Sequence, residues 1–183
     1  MLNNVLSALA GKLEEFLETI FHQPEGIVKL AGFTDEDKSW ILNKVVVSVV
    51  SVERETAAGI GGGNVKNGSG GFNRGYPPLK VNVNVVFAAV YDQKRYEDAL
   101  SVLSAVILFL QANPVFNVSG KQKYTVELIS LSAEELNNIW SNLGGHYYPS
   151  VMCKIRGVVF DAGEVRKTSG QAGKSDVQAG KKN

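Results

Sequence analysis

The sequence is poor in the residues that staple small folds or bind metals. A single cysteine, Cys153, excludes a framework of internal disulfides. The two histidines, His22 and His146, have no second histidine and no cysteine three or four positions away. No apolar run approaches the roughly 20 residues that a membrane-spanning helix needs. We therefore predict a protein without a metal site, a cofactor or a membrane span.

The sequence also lacks an excess of positive or negative charge. The chain of 183 residues carries 19 basic and 18 acidic side chains, for a net charge of +1. Such a balance creates no field that would recruit nucleic acid or an anionic membrane. Residues 1–4 do not form the basic start of a secretory signal, so we predict folding and assembly in the cytoplasm. With 44% hydrophobic residues, one domain with its own core is expected.

The pattern of apolar residues predicts an alternation of helices and strands. Helical spacing covers residues 2–21, 96–110 and 136–143, and Ser132 with Glu135 is typical of a capping box before the third helix. Residues 40–54, 79–90, 124–131 and 151–161 are typical of strands. This order predicts an α/β (α+β) domain over residues 1–161, with a single mixed sheet of about four strands and flanking helices.

Residues 57–78 stand out because they are crowded with glycine. A stretch of this density does not hold a helix or strand by itself, so we predict a long loop that joins two strands as an oversized hairpin. The prediction is that this loop is mobile in the free subunit and orders against other chains. The glycines proposed to form the assembly loop are Gly61, Gly62, Gly63, Gly68, Gly70 and Gly71.

Residues 162–183 lack apolar periodicity and are predicted to be a disordered basic tail. Five basic residues outnumber two acidic ones, which leaves open contact with an acidic surface as the alternative to a solvated tail. The tail contains Gly173-Lys174-Ser175, the end of a phosphate-loop pattern, but position 168 holds threonine instead of the glycine the motif needs. On the first helix, the acidic run at Glu14, Glu15 and Glu18 is predicted to be a solvated face.

Cys153 and His146 form the one candidate catalytic pair in the sequence. A nucleophile and its base need not be adjacent in sequence, so the pair remains an alternative. Cys153, however, lies within an apolar strand, where a buried thiol is inert. We predict that the protein is not an enzyme.

Three stretches together resemble a known family: residues 77–79, 111–116 and 136–150. The chain looks like the tail-terminator, or cap, proteins of phage-tail-like contractile injection systems of the antifeeding-prophage type. Its third stretch, which runs from Leu136 through Trp140 to Ser150, is the most specific. The matching positions are interpreted as packing and turn determinants: Pro77, Pro78, Leu79, Asn113, Pro114, Phe116, Trp140, Leu143, Gly144, Tyr148, Pro149 and Ser150.

The resemblance implies a structural protein that forms a ring, expected to be a hexamer, at the baseplate-distal end of an injection particle. There it would end growth of the inner tube and hold the last layer of sheath. Its implied partners are copies of itself, inner-tube and sheath subunits, with a second, paralogous cap left open. The competing hypothesis is a transient assembly adaptor or chaperone of the same particle.

Overall fold

A computed structural model describes residues 2–22, 26–33, 41–56, 64–66, 72–74, 78–118 and 122–161. The first element is a helix, α1 (Leu2–Phe21). Its buried residues are Val5, Leu6, Leu9, Leu13 and Leu17. They recur every three or four positions, so one stripe of the helix faces the core. The helix ends where His22 takes a left-handed φ of 50°.

A sheet of six strands forms the centre of the molecule. In spatial order from one edge, its first three strands are β1 (Val28–Leu30), β2 (Lys44–Arg54) and β5 (Leu79–Val90). The other three are β8 (Ser150–Phe160), β7 (Gln122–Ile129) and β6 (Val115–Val118). Only β1 and β2 pair in parallel; every other pair in this sheet is antiparallel. The sheet curls, and α1 contacts both of its edge strands.

Helices cover the two faces of the sheet unequally. On the first face lie α1 and α2 (Tyr96–Ala112), which follows a short 3-10 turn at Gln93–Arg95. The second face is covered by α3 (Ala133–Asn142), which buries Trp140 against Phe33, Val86 and Met152. Because successive strand residues point to opposite faces, β5 contributes Val83 and Val85 to the first core and Val86 to the second.

Two irregularities bend the central strands. The β2–β5 register shifts between Val49 and Ser51, and the β5–β8 register shifts between Val81 and Val83. Opposite the second shift, Gly157 has a φ of +88°, and a Cβ at this position would lie 3.0 Å from the Lys123 carbonyl oxygen. Such bulges increase the local twist of a strand, which is consistent with the curl of the sheet.

The predicted order of helices and strands is confirmed, but the count of about four strands is too low. The sequence interpretation missed β1 and β6, edge strands of three and four residues that are too short to show a period. It also missed a small ribbon within the glycine-rich stretch, where β3 (Asn64–Lys66) pairs with β4 (Phe72–Arg74). β2 and β5 pair antiparallel over most of their length. The long loop predicted to join them lies largely outside the described residues, so its length and mobility stay a prediction.

Candidate assembly site

Residues of the most specific motif build an aromatic cluster beneath the second face of the sheet. This aromatic corner consists of Phe33, Trp140, Tyr147 and Tyr148. Trp140 is only 4% exposed, and its ring centroid lies 5.3 Å from that of Phe33 in an edge-to-face arrangement. The Tyr148 ring lies 5.8 Å from Trp140 and 6.2 Å from Phe33. These two contacts of Trp140 are edge-to-face and the Phe33–Tyr148 contact is stacked, and such arrangements stabilise aromatic pairs beyond simple burial. Within the subunit, Trp140 and Tyr148 therefore pack against the other rings of this corner.

The helix that carries Trp140 has well-satisfied ends. Ser132 caps its start: the Ser132 Oγ accepts from the Glu135 N–H, and the Ser132 N–H donates to the Glu135 carboxylate. The Ser132 hydroxyl also donates to the Glu135 carboxylate, and the hydrogen bonds from the Ser132 N–H and from this hydroxyl hold the pKa of Glu135 below its usual value. At the other end, Leu143 is the C-cap, and the Gly145 N–H donates to the Trp140 carbonyl over 2.8 Å. The capping box predicted from the sequence is confirmed.

Gly144 and Gly145 turn the chain away from α3, and both have positive φ. Gly144 has a φ of +107°, and a Cβ there would come within 3.2 Å of the Phe33 carbonyl oxygen. At Gly145, φ is +75° and a Cβ would meet nothing within 4 Å. Gly144 thus permits both the turn and the close approach to Phe33, whereas Gly145 permits only the turn.

This difference gives a matched pair of substitutions. Gly144→Ala is expected to lower the free energy of unfolding by about 2–3 kcal/mol, because it combines left-handed strain with a backbone clash. Gly145→Ala is expected to cost only about 1 kcal/mol, since it adds strain without a clash. Urea denaturation followed by circular dichroism measures both. Equal losses for the two variants would show that the approach to Phe33 is unimportant.

The second motif stretch ends α2 and begins β6. The Asn113 backbone N–H and its Nδ2 both donate to the Phe109 carbonyl, at 3.0 Å and 2.9 Å. The Pro114 carbonyl accepts from the Val126 N–H, which ties the turn to β7. Phe116 is buried, with its ring centroid 5.3 Å from that of Tyr124. All of these contacts serve packing and chain direction.

The remaining motif positions surround the entries to β5 and β8. The Pro149 carbonyl accepts from the Ala89 N–H over 2.9 Å, and Ser150 then begins β8 opposite Ala88. Pro78 is exposed and precedes Leu79, the first residue of β5, which is 44% exposed. Pro77 and the six glycines of the predicted assembly loop lie outside the described residues. Their proposed role in assembly stays a prediction.

The part of the second sheet face that includes β8 residues Lys154 and Arg156 carries paired charges. The Lys154 Nζ donates to Glu53 over 3.1 Å, and the Arg156 Nε donates to Glu127 over 2.9 Å. The hydrogen bonds from Lys154 and from Asn84 lower the pKa of Glu53. The bond to Glu127 raises the pKa of Arg156. The face is therefore a ladder of ion pairs that stays charged at neutral pH.

The structure does not support a catalytic role for Cys153. The thiol is fully buried, and burial raises its pKa to about 12. A neutral thiol in a core is a poor nucleophile. His146 is exposed and, together with Tyr91, Tyr96 and Tyr147, lines a separate cleft of 460 Å³. Among the described residues, no group of three or more His, Cys, Asp or Glu side chains is placed to hold a metal.

Large apolar side chains lie exposed on α2 and in the segment after α3. Leu100 and Ile107 belong to the apolar spacing that predicted the second helix, and they are 41% and 39% exposed. Leu108 and Tyr147 are exposed even more. The apolar residues of α2 cover a wider arc than one buried face needs. This excess width was the sequence signal that some of them would be exposed. Exposed aromatic and aliphatic groups of this size are typical of interfaces between proteins.

A family model described as the Pvc16 N-terminal domain matches residues 4–171. The chain belongs to this family. No protein with a curated description matches the sequence. The match covers the aromatic corner, the turn at Asn113 and Pro114 and the whole sheet, so the resemblance seen in the motif residues is confirmed.

Two solved structures share the fold of this Pvc16 N-terminal domain. One is the sheath/tube terminator of an extracellular contractile injection system, PVC, in its extended state, with a TM-score of 0.59 and 14% identity. The match covers 100% of this chain and 62% of the terminator's chain. The other is the tube-terminating cap of the anti-feeding prophage, with a TM-score of 0.52 and 16% identity. The match covers 86% of this chain and 54% of the cap's chain.

The chain thus spans less than two thirds of the length of each of these two structures. In the described ranges, no helix is long and apolar enough to cross a membrane.

Proposed function

We propose that this protein is a structural terminator of a contractile injection system. In this role it forms a ring at the baseplate-distal end, stops growth of the inner tube and holds the last layer of sheath. The observation that carries the proposal is the Pvc16 N-terminal domain match over residues 4–171. The fold shared with a sheath/tube terminator and with a tube-terminating cap supports it.

Ring formation follows from the proposed terminator role. A terminator must match the symmetry of the tube that it closes, and closed cyclic symmetry is the usual form of such assemblies. We propose a hexamer. One face of the ring binds the last tube ring, the opposite face offers no site for another tube subunit, and the rim contacts sheath.

Side-chain chemistry supports an interaction role without catalysis. The described surface presents exposed apolar groups such as Leu108 (57%) and Tyr147 (61%). Trp140 and Tyr148 of the most specific motif, by contrast, pack inside the subunit. Interfaces are enriched in tyrosine and in well-packed apolar groups, and a near-neutral charge does not oppose the close packing of copies. We propose that the protein is not an enzyme and that it assembles in the cytoplasm as part of the particle.

Ring formation can be measured directly. Native mass spectrometry of the full chain at micromolar concentration is expected to show six copies, or a mixture of monomer and hexamer whose balance shifts with concentration. Addition of purified tube subunits is expected to drive the mixture toward the ring. A protein that stays monomeric with and without tube subunits would replace this proposal with the transient adaptor or chaperone of the same particle.

A further inference from the structure

A groove runs between α1 and the edge strand β1. It has a volume of 540 Å³. Small residues on successive turns of α1 form one wall, namely Ser7, Ala10 and Gly11. The opposite wall is the strand itself, with Val28 and Leu30. None of these residues belongs to the aromatic corner or to the charged ladder, so the groove is separate from both.

Gly11 lies in the middle of a helix of 20 residues, where glycine costs about 1 kcal/mol relative to alanine. Interior glycines usually make room for a close neighbour. Here a Cβ would meet nothing within 4 Å, and φ is not in the left-handed region. Neither packing nor backbone geometry within the subunit therefore requires glycine at this position. The open space above it suits the backbone of another segment.

The strand that faces this space has backbone groups available for pairing. In the described part of the chain, β1 has a partner strand, β2, on one side only. The Ile27 carbonyl and the Ala31 N–H bond to β2, so the intervening Leu30 backbone points to the groove side. At the start of the strand, the Glu14 carboxylate accepts from the Val28 N–H and blocks that end. An added segment is thus directed toward Leu30.

The charges of the groove select the kind of segment that fits. Its lining carries three carboxylates, Glu14, Glu15 and Glu18, and one ammonium, Lys29. Residues 162–183 have the opposite balance, with two acidic and five basic side chains: Arg166, Lys167, Lys174, Lys181 and Lys182. Glycine, alanine and serine separate these charges, and such small residues suit a close approach to Gly11.

Length permits the contact. The 22 residues that follow Asp161 can span at most about 70 Å when extended, whereas a six-stranded sheet is roughly 25 Å wide. The family match also continues to residue 171, ten residues past the end of the described domain.

We propose that the groove between α1 and β1 binds the chain's own basic segment, residues 162–183, in extended form. The acidic rim attracts the segment, Gly11 gives its backbone room and the β1 edge supplies hydrogen bonds. This inference does not rest on the capping role, because it concerns a contact that the protein makes in solution.

Disulfide cross-linking of the full chain tests the contact. Ser7→Cys places a thiol on the groove wall, and Ser175→Cys places one in the basic segment. The native Cys153 is buried, with a raised pKa, and does not compete. Under mild oxidation at low salt, the pair is expected to cross-link about tenfold more than a control pair that joins Ser175→Cys to Ser101→Cys. Ser101 is a matched site, since it is also an exposed helix serine bonded four residues back.

A second variant separates groove binding from random collision. Gly11→Leu fills the open space and is expected to reduce cross-linking to the control level while leaving the melting temperature unchanged or higher, because leucine is the better helix former. Salt at 0.5 M is expected to reduce cross-linking as well, by screening the carboxylates. Gel mobility shows whether the segment comes from the same copy or a neighbouring one, and either supports the proposal. Equal yields at Ser7 and Ser101, or a yield insensitive to Gly11→Leu, would overturn it.

Discussion

Trp140→Ala is expected to lower the free energy of unfolding by about 3–5 kcal/mol, since it removes a buried indole and leaves a cavity. Trp140 is 4% exposed and contacts three other rings: Phe33, Tyr147 and Tyr148. Its loss unlocks the aromatic corner on the second face of the sheet while the first core, under α1 and α2, remains intact. Chemical denaturation followed by far-ultraviolet circular dichroism measures the change.

Trp140→Phe is the matched control. The indole Nε1 is buried and has no hydrogen-bond partner within the described structure. Phenylalanine keeps an aromatic ring and removes a donor that makes no hydrogen bond, so we expect a loss of only about 1–2 kcal/mol. If phenylalanine destabilised the protein as much as alanine, a hydrogen bond to the indole would have to exist, and the packing interpretation of this residue would be wrong.

Long periodic segments could be predicted from the sequence. The strand predicted at residues 79–90 is β5, and the Ser132–Glu135 capping box begins α3 as expected. Each of these signals is local, because it depends on alternation or on a cap within a few residues. The same alternation also predicted which residues share a face of the sheet, in part: Lys154 and Arg156 do lie on one face.

Edge strands and surface apolar groups could not be predicted in the same way. β1 has three residues, and its existence depends on pairing with β2 and on hydrogen bonds from its start to the distant Glu14. The acidic run that includes Glu14 was predicted to be a solvated face. That interpretation is wrong for Glu14, which caps the edge of a strand, because no local pattern reveals a partner 12 to 14 residues away. For the same reason, the sequence could not separate Leu100 and Ile107 from the buried side of α2.

The residues of the candidate site also divide into those that local sequence signals identify and those that only the fold reveals. Packing and turn roles were assigned to Trp140 and Asn113 from local aromatic and proline signals. In the structure Trp140 packs against Phe33 and Asn113 donates to the Phe109 carbonyl. Tyr147 and the groove beside Gly11 were missed as surfaces. Exposure is a property of the whole fold, and only the structure shows that nothing lies above Gly11.

The largest biological effect is expected when the protein is absent from the assembling particle. If the protein has the proposed terminator role, its absence leaves nothing to end the addition of tube rings and nothing to hold the distal layer of sheath, and we expect the baseplate to stay intact. Tubes should therefore vary widely in length, and sheaths should be unstable or missing. Supply of the wild-type protein from a second copy of the gene should restore uniform particles.

Electron microscopy of particles from a strain that lacks this protein tests the terminator function most directly. The measured quantities are the distribution of tube lengths and the fraction of particles with a closed distal end. The account predicts a broad length distribution and open ends on intact baseplates. Particles of uniform length with normal caps in that strain would contradict it.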